Sequence, residues 1–378
     1  MSLTARLAVA ALLFAPQAVS ACSPAPAKPK AIDLVVCLDV SGSMNGLIDS
    51  AKIRLWDVVN ELATVKPTPN LRVALYSYGN PAYGQASGYV RKEIDLTTDL
   101  DEVYAKLNAL RINGGDEYVA RVTQTGLKEQ KWSAEAGALK LIFVCGNEAV
   151  DQDKQASLGE VAELARKQGV IVNTIHCGPD DAGWRGFAVQ CGGSYTVIDQ
   201  DRAKRDLAAA IKTPYDAELV KLGQKLNTTY LAFGKDGLRG AANQVAQDRA
   251  AGAAAPGAGL ARAVTKANAL YKCEWDLLDC LKQDPKLDVT KMKPEELPEE
   301  MRKLKPEERV AYLKKKADER TGIQKEINEL SARRAKFVEA ERKKQPKTDG
   351  EKALDEALKG IIREQAKAKG FEVPAGKK

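Results

Sequence analysis

Ile32 to Met44, IDLVVCLDVSGSM, is the stretch that decides the fold. Ile32 to Leu38 form an apolar, β-branched run of the kind that makes a strand buried on both faces. The run ends abruptly in Asp39-x-Ser41-x-Ser43, and Gly42 lets the chain turn tightly there. One carboxylate and two hydroxyls thus converge at the carboxyl end of a core strand, where open α/β sheets place their ligand sites. Hard oxygen donors on a compact loop suit Mg²⁺ or a similar divalent cation. The same residues also suit a plain helix start, with Ser43 or Asn45 capping a helix that begins at Gly46. One loop can do both.

Outward from this stretch, strands and helices alternate. A helix is expected from Gly46 to about Val65, with Leu47, Ile48, Ala51, Leu55, Val58, Val59 and Leu62 at helical spacing. Pro67-Thr-Pro69-Asn70 ends it. Further strands are expected at Leu71–Tyr78, Tyr89–Leu96, Leu139–Cys145, Val170–His176 and Ser194–Ile198. Helices are expected at Asp99–Leu110, Tyr118–Lys131, Ser157–Gln168, Trp184–Val189 and Arg202–Ile211. The alternation predicts a six-stranded, mainly parallel sheet, doubly wound with helices on both faces. The charged strand at Tyr89–Leu96 belongs at its edge.

DVSGSM, set between a buried strand and an amphipathic helix, resembles the first metal-binding segment of a von Willebrand factor type A domain, its metal-ion-dependent adhesion site. The order of elements resembles that family over residues 31–212. The resemblance implies a Rossmann-like α/β fold with one antiparallel edge strand. It also implies a cation, Mg²⁺ or else Mn²⁺ or Ca²⁺, that binds an acidic side chain of a protein partner. Two more loops would complete such a site. The second usually carries Thr after a Gly-rich turn; here it reads Asn113-Gly-Gly-Asp116-Glu117, and Asp116 looks like the replacement. Its alternative role is to cap the next helix. The third loop commonly has Asp-Gly, whereas this chain has Cys145-Gly146-Asn147-Glu148. With that aspartate missing, Asn147 and Glu148 are the residues left to line the adhesion face or to compensate. The metal candidates are therefore Asp39, Ser41, Ser43 and Asp116, and the partner-binding candidates are Asn147 and Glu148.

Enzymatic readings have little to stand on. The chain has one histidine, His176, inside a strand, where a structural role is expected. A nucleophile system would have to use that residue. No Gly-x-Ser-x-Gly and no phosphate-binding Gly-x-x-x-x-Gly-Lys-Ser/Thr occurs. The expectation is a non-enzyme. Its alternative function is as a structural or assembly protein with a degenerate, metal-free site.

The first residues read as a leader. Arg6 precedes the short apolar stretch Leu7–Ala15, too short for a membrane span, and Val19-Ser20-Ala21-Cys22 follows. Small residues before a cysteine resemble a bacterial lipobox, which implies residues 1–21 as signal peptide and Cys22 as the lipid attachment site. Ordinary signal cleavage near Ser20 or Ala21 is the alternative. Residues 22–30, rich in proline, make a stiff tether. The implied location is the bacterial cell envelope, as a lipid-anchored periplasmic protein.

Seven cysteines include Cys22. Cys37, Cys145 and Cys177 lie near strand ends, where thiols often act as small hydrophobes. Cys273 and Cys280, on one expected helix, would sit about 10 Å apart. Reduced core thiols are the expectation.

No strand is expected after Thr213-Pro214. Residues 213–284 read as a helical region with helices to about Phe233, over Ala241–Ala250 and over Leu260–Lys282. Residues 285–306 read as a Pro-rich linker, and 307–378 as a charged helical hairpin or coiled coil. From Leu281 onward there are 27 Lys and Arg against 20 Asp and Glu, which accounts for the whole net charge of +7. Such a tail suits acidic partners or a solvated helical face. Its few aromatics argue against nucleic-acid binding.

Overall fold

The first strand, β1 (Ala31–Asp39), is buried along its whole length. The computed structural model describes residues 29–45, 48, 58–198, 211–254, 257–284, 286–344 and 353–373. β1 is central because it pairs in parallel with β2 (Asn70–Tyr78) on one side and with β4 (Leu139–Gly146) on the other. β3 (Val90–Thr97) runs antiparallel to β2 at one edge. β5 (Ile171–His176) and β6 (Tyr195–Val197) continue the parallel set on the other side, giving the order β3-β2-β1-β4-β5-β6. The chain leaves β1 toward β2 on one side and returns to β4 on the other. The carboxyl ends of β1 and β4 therefore flank the topological switch point.

Alternate residues of β1 feed two cores. Leu34, Val36 and Leu38 face α1 (Leu100–Ala109) and the helical segment at residues 58–62. Val35 and Cys37 face α2 (Val119–Glu129), α3 (Leu158–Gln168) and α4 (Ala182–Gln190). Sequence-local chemistry starts these helices: Asp99 accepts from the amides of Asp101 and Glu102, and Asp181 from that of Trp184. The leader, Cys22, most of the helix after β1 and Arg202–Ala210 lie outside the described residues.

The helical region differs from expectation in how it packs. It comprises α5 (Asp216–Asn227), α6 (Gly237–Ala254), α7 (Ala258–Ala267), α8 (Leu277–Gln283), α9 (Pro306–Lys344) and α10 (Ala353–Ala368). Leu222, Leu226, Tyr271, Ile327 and Ile362 share one hydrophobic cluster with Leu34 and Val36 of β1. Polar ties cross the same boundary. Arg262 pairs with Asp101 at 2.5 Å, and Thr265 donates to Asn60 at 2.8 Å. Arg363 donates to Glu61 at 2.7 Å, and Asn173 and Gln365 exchange amide hydrogen bonds.

Three expectations are corrected here. The single helix over Leu260–Lys282 is two helices, because Asn268 accepts from the Leu270 amide and Asp276 caps α8; such side-chain bonds compete with helix continuation. Residues 285–306 are not a bare linker: two 3₁₀ turns bury Leu297 and Met301 against Leu313. The tail helices find partners elsewhere instead of forming a hairpin. α9 packs along α5 and α7, and α10 packs against β6. Ile323 and Ile327 of α9, and Leu358 and Ile362 of α10, enter the common core, which draws each helix onto the body. Among the described residues no helix is long and apolar enough to cross a membrane.

Candidate functional site

Asp39 ends β1 fully buried. Its Oδ1 accepts from the Ser41 amide at 2.7 Å. Its Oδ2 is buried with no hydrogen-bond partner among the described residues. After it the chain turns through a short 3₁₀ segment (Gly42–Met44), pinned by the buried Met44. The Ser41 and Ser43 hydroxyls meet at 2.9 Å, and Ser43 donates to Asn147 Oδ1 at 3.0 Å. The first and third loops are thus joined through a hydroxyl and an amide.

Two glycines make the space. Gly79 follows β2 with φ +80°, and a Cβ there would stand 2.8 Å from Asp39 Oδ1 and 3.2 Å from both Glu117 and Ser41 side-chain carbons. A Cβ on Gly146, at the end of β4, would stand 3.2 Å from Asp39 Oδ2. Tyr78 reaches across beneath them, donating to the Cys145 carbonyl at 3.0 Å. The backbone therefore closes around Asp39, with Gly146 beside its second oxygen.

The second loop departs from expectation. Asp116 is exposed and accepts from the Tyr118 hydroxyl at 3.2 Å. It is the next residue, Glu117, that is buried against Asp39 and Ser41. Gln152 holds Glu117 from both sides, donating to Oε2 at 3.0 Å and accepting its amide at 3.3 Å. Reading a loop for ligands fails here because a loop has no period to say which of two adjacent carboxylates points inward. The usable signal was that Glu117 lies two residues before the buried face of α2 begins at Val119.

Charge at this site is unbalanced. Burial pushes the Asp39 carboxyl up to about 7, against the downward pull of the Ser41 hydrogen bonds, and Glu117 and Glu148 add repulsion. Burial also raises Glu117, partly offset by Gln152 and Ser41. Asn147 is half-buried and Glu148 exposed. The backbone of this loop is anchored: the Glu148 carbonyl accepts from Trp184 Nε1 at 2.7 Å, and the Asn147 carbonyl lies 3.2 Å from His176 Nε2. His176 is buried, with its other ring nitrogen 2.8 Å from the Pro179 carbonyl, which is a positioning role.

The donors fit a hard cation. A buried carboxylate oxygen without a partner, two serine hydroxyls and a second carboxylate are oxygen ligands of the Mg²⁺, Mn²⁺ and Ca²⁺ kind. Among the described residues no group of three or more His, Cys, Asp or Glu side chains forms a metal cage. A cation here would rest on the hydroxyls as much as on the carboxylates.

Residues 33–184 match the family described as von Willebrand factor type A domain. No curated protein matches the chain. Among solved structures, proximal thread matrix protein 1 from the mussel byssus, described with a zinc-occupied MIDAS motif, shares 13% identity and a TM-score of 0.35, over 47% of this chain and 44% of that one. This chain thus spans less than half the length of that protein. The SpRpn10 VWA domain shares 14% identity and a TM-score of 0.35, over 44% of this chain and 87% of that one. The von Willebrand factor type A protein from Catenulispora acidiphila shares 13% identity and a TM-score of 0.34, over 47% of this chain and 41% of that one.

Proposed function

We propose that the chain is a protein-binding module whose sheet domain holds a divalent cation at Asp39, Ser41, Ser43 and Glu117. The observation that carries this reading is Asp39 Oδ2, a buried carboxylate oxygen with no partner among the described residues and with two further carboxylates nearby. Leaving such a group unanswered is costly, and a cation is the ordinary answer. When bound, the cation supplies a Lewis-acidic position open to a carboxylate of the partner. Asn147 positions Ser43, and Glu148 stands exposed on the same loop as Asn147 to contact the partner directly. In this reading the chain is exported by the leader at residues 1–21 and tethered to the envelope membrane through a lipid on Cys22.

The second reading is a structural or assembly protein that binds no metal. The third loop favours it, since Cys145 stands where the family commonly has aspartate. Bound Mn²⁺ separates the two, because it enhances water-proton relaxation in proportion to its free coordination positions. The adhesion reading predicts enhancement with the full chain, and a fall when a glutamate-containing peptide is added. No enhancement supports the second reading. Enhancement that the peptide leaves unchanged rejects the open position.

A further inference from the structure

We propose that Cys145 and Cys177 form a disulfide that fastens the third site loop to the loop after β5. Their sulfurs lie 3.3 Å apart and both side chains are buried. A disulfide needs about 2.05 Å, so the sulfurs have to close by about a further 1.2 Å. Strand register explains the approach. Cys145 pairs with Ile175 across β4 and β5, and Cys177 follows two residues later, on the same face. Cys145, Ile175 and Cys177 share one hydrophobic cluster, whereas Cys37 and Cys191 belong to the opposite face.

The two loops already touch. The Cys177 amide donates to the Gly146 carbonyl at 2.7 Å, and His176 Nε2 lies 3.2 Å from the Asn147 carbonyl. The bond makes this junction covalent directly below Asn147, the residue that holds Ser43. Its influence on cation binding rests on the functional reading above; the bond itself does not.

The oxidant is a disulfide of the glutathione or dithiol-oxidoreductase class. Two S–H bonds are lost and one S–S bond forms, while the donor's S–S bond breaks and takes up both protons and both electrons as two thiols. Because both sulfurs are buried, exchange takes place as the chain folds, and the finished bond is shielded from reductant.

The full chain is unfolded, reduced, and refolded in a glutathione redox buffer. Remaining thiols are alkylated at acid quench, and tryptic peptides are mapped without reduction. The expected product joins residues 141–154 to residues 168–185, two hydrogens lighter than the pair of thiol peptides. The oxidised chain should melt roughly 5 °C above the reduced chain. Cys145→Ala/Cys177→Ala should lose that redox dependence. Should the double variant fail to fold, peptide mapping of the wild type decides alone. Full alkylation of both peptides in the folded, oxidised chain, or pairing of Cys145 with any other cysteine, overturns the proposal.

Discussion

Asp39 and Asp248 are both carboxylates withdrawn from water, and the protein treats them oppositely. Asp248 of α6 meets Lys266 and Arg262, and although burial opposes it, these two cations hold its carboxyl below the usual range. Nearby, Arg262 also pairs with Asp101, and Arg320 grips Asp276 at 2.7 Å and 3.0 Å. The buried charges of the helical region are therefore met by opposite charges of the protein itself. At the carboxyl end of β1 no cationic side chain among the described residues answers Asp39, and its carboxyl is pushed up to about 7. Buried ion pairs in the first region hold the architecture together. In the second, the proposed reading takes the unpartnered carboxylate as the seat of a cation.

The contrast predicts opposite signs for removal of charge. Arg262→Ala leaves Asp101 buried without its cation and Asp248 with Lys266 alone, and should destabilise the chain by about 3–5 kcal/mol, read as a drop in denaturant midpoint. Asp39→Asn removes a charge that nothing balances and should stabilise the metal-free chain at pH 8. A destabilised Asp39→Asn variant would break the comparison.

The pH dependence follows the same logic. Asp39 is raised from 3.8 to about 7 on folding, so the metal-free native state holds a proton the unfolded chain has released. Its contribution to stability is full below about pH 4 and is lost as pH rises to 7, on the order of a few kcal/mol. Saturating Mn²⁺ should remove that loss. Thermal melts across pH 4 to 8 in chelator and in Mn²⁺ check it; parallel curves would contradict it.

Smaller effects sharpen the site. Glu117→Gln should weaken Mn²⁺ binding clearly more than Asp116→Asn, since only Glu117 is buried against Asp39. Asn147→Ala removes the tether to Ser43 and should cost roughly 1 kcal/mol, about a fivefold loss of affinity. If Asp116→Asn proved the more damaging of the two carboxylate variants, the inward placement of Glu117 would be wrong.

Much of the sheet domain was legible because each of its elements is specified locally. The run Ile32–Leu38 states its own burial, and Asp99 marks a helix start within three residues of its partners. The turn after β1 was legible for the same reason. Glu117 was not, because direction in a loop depends on Gly79 and Gln152, far away in the chain. The packing of the helical region was hidden for a related cause. Arg262 and Arg320 look like solvent-facing charges on helices, yet Asp101 and Asp276, distant in sequence, draw them into the interior. Asn268 and Asp276, which interrupt the expected long helix, act through single side-chain hydrogen bonds that periodicity does not register.

The most direct test of the central claim is a calorimetric titration of Mn²⁺ into the full chain at pH 7.5, beside Asp39→Asn. The account predicts one site per chain in the wild type and none in the variant. Absence of binding to the wild type, or equal binding to both chains, would contradict it.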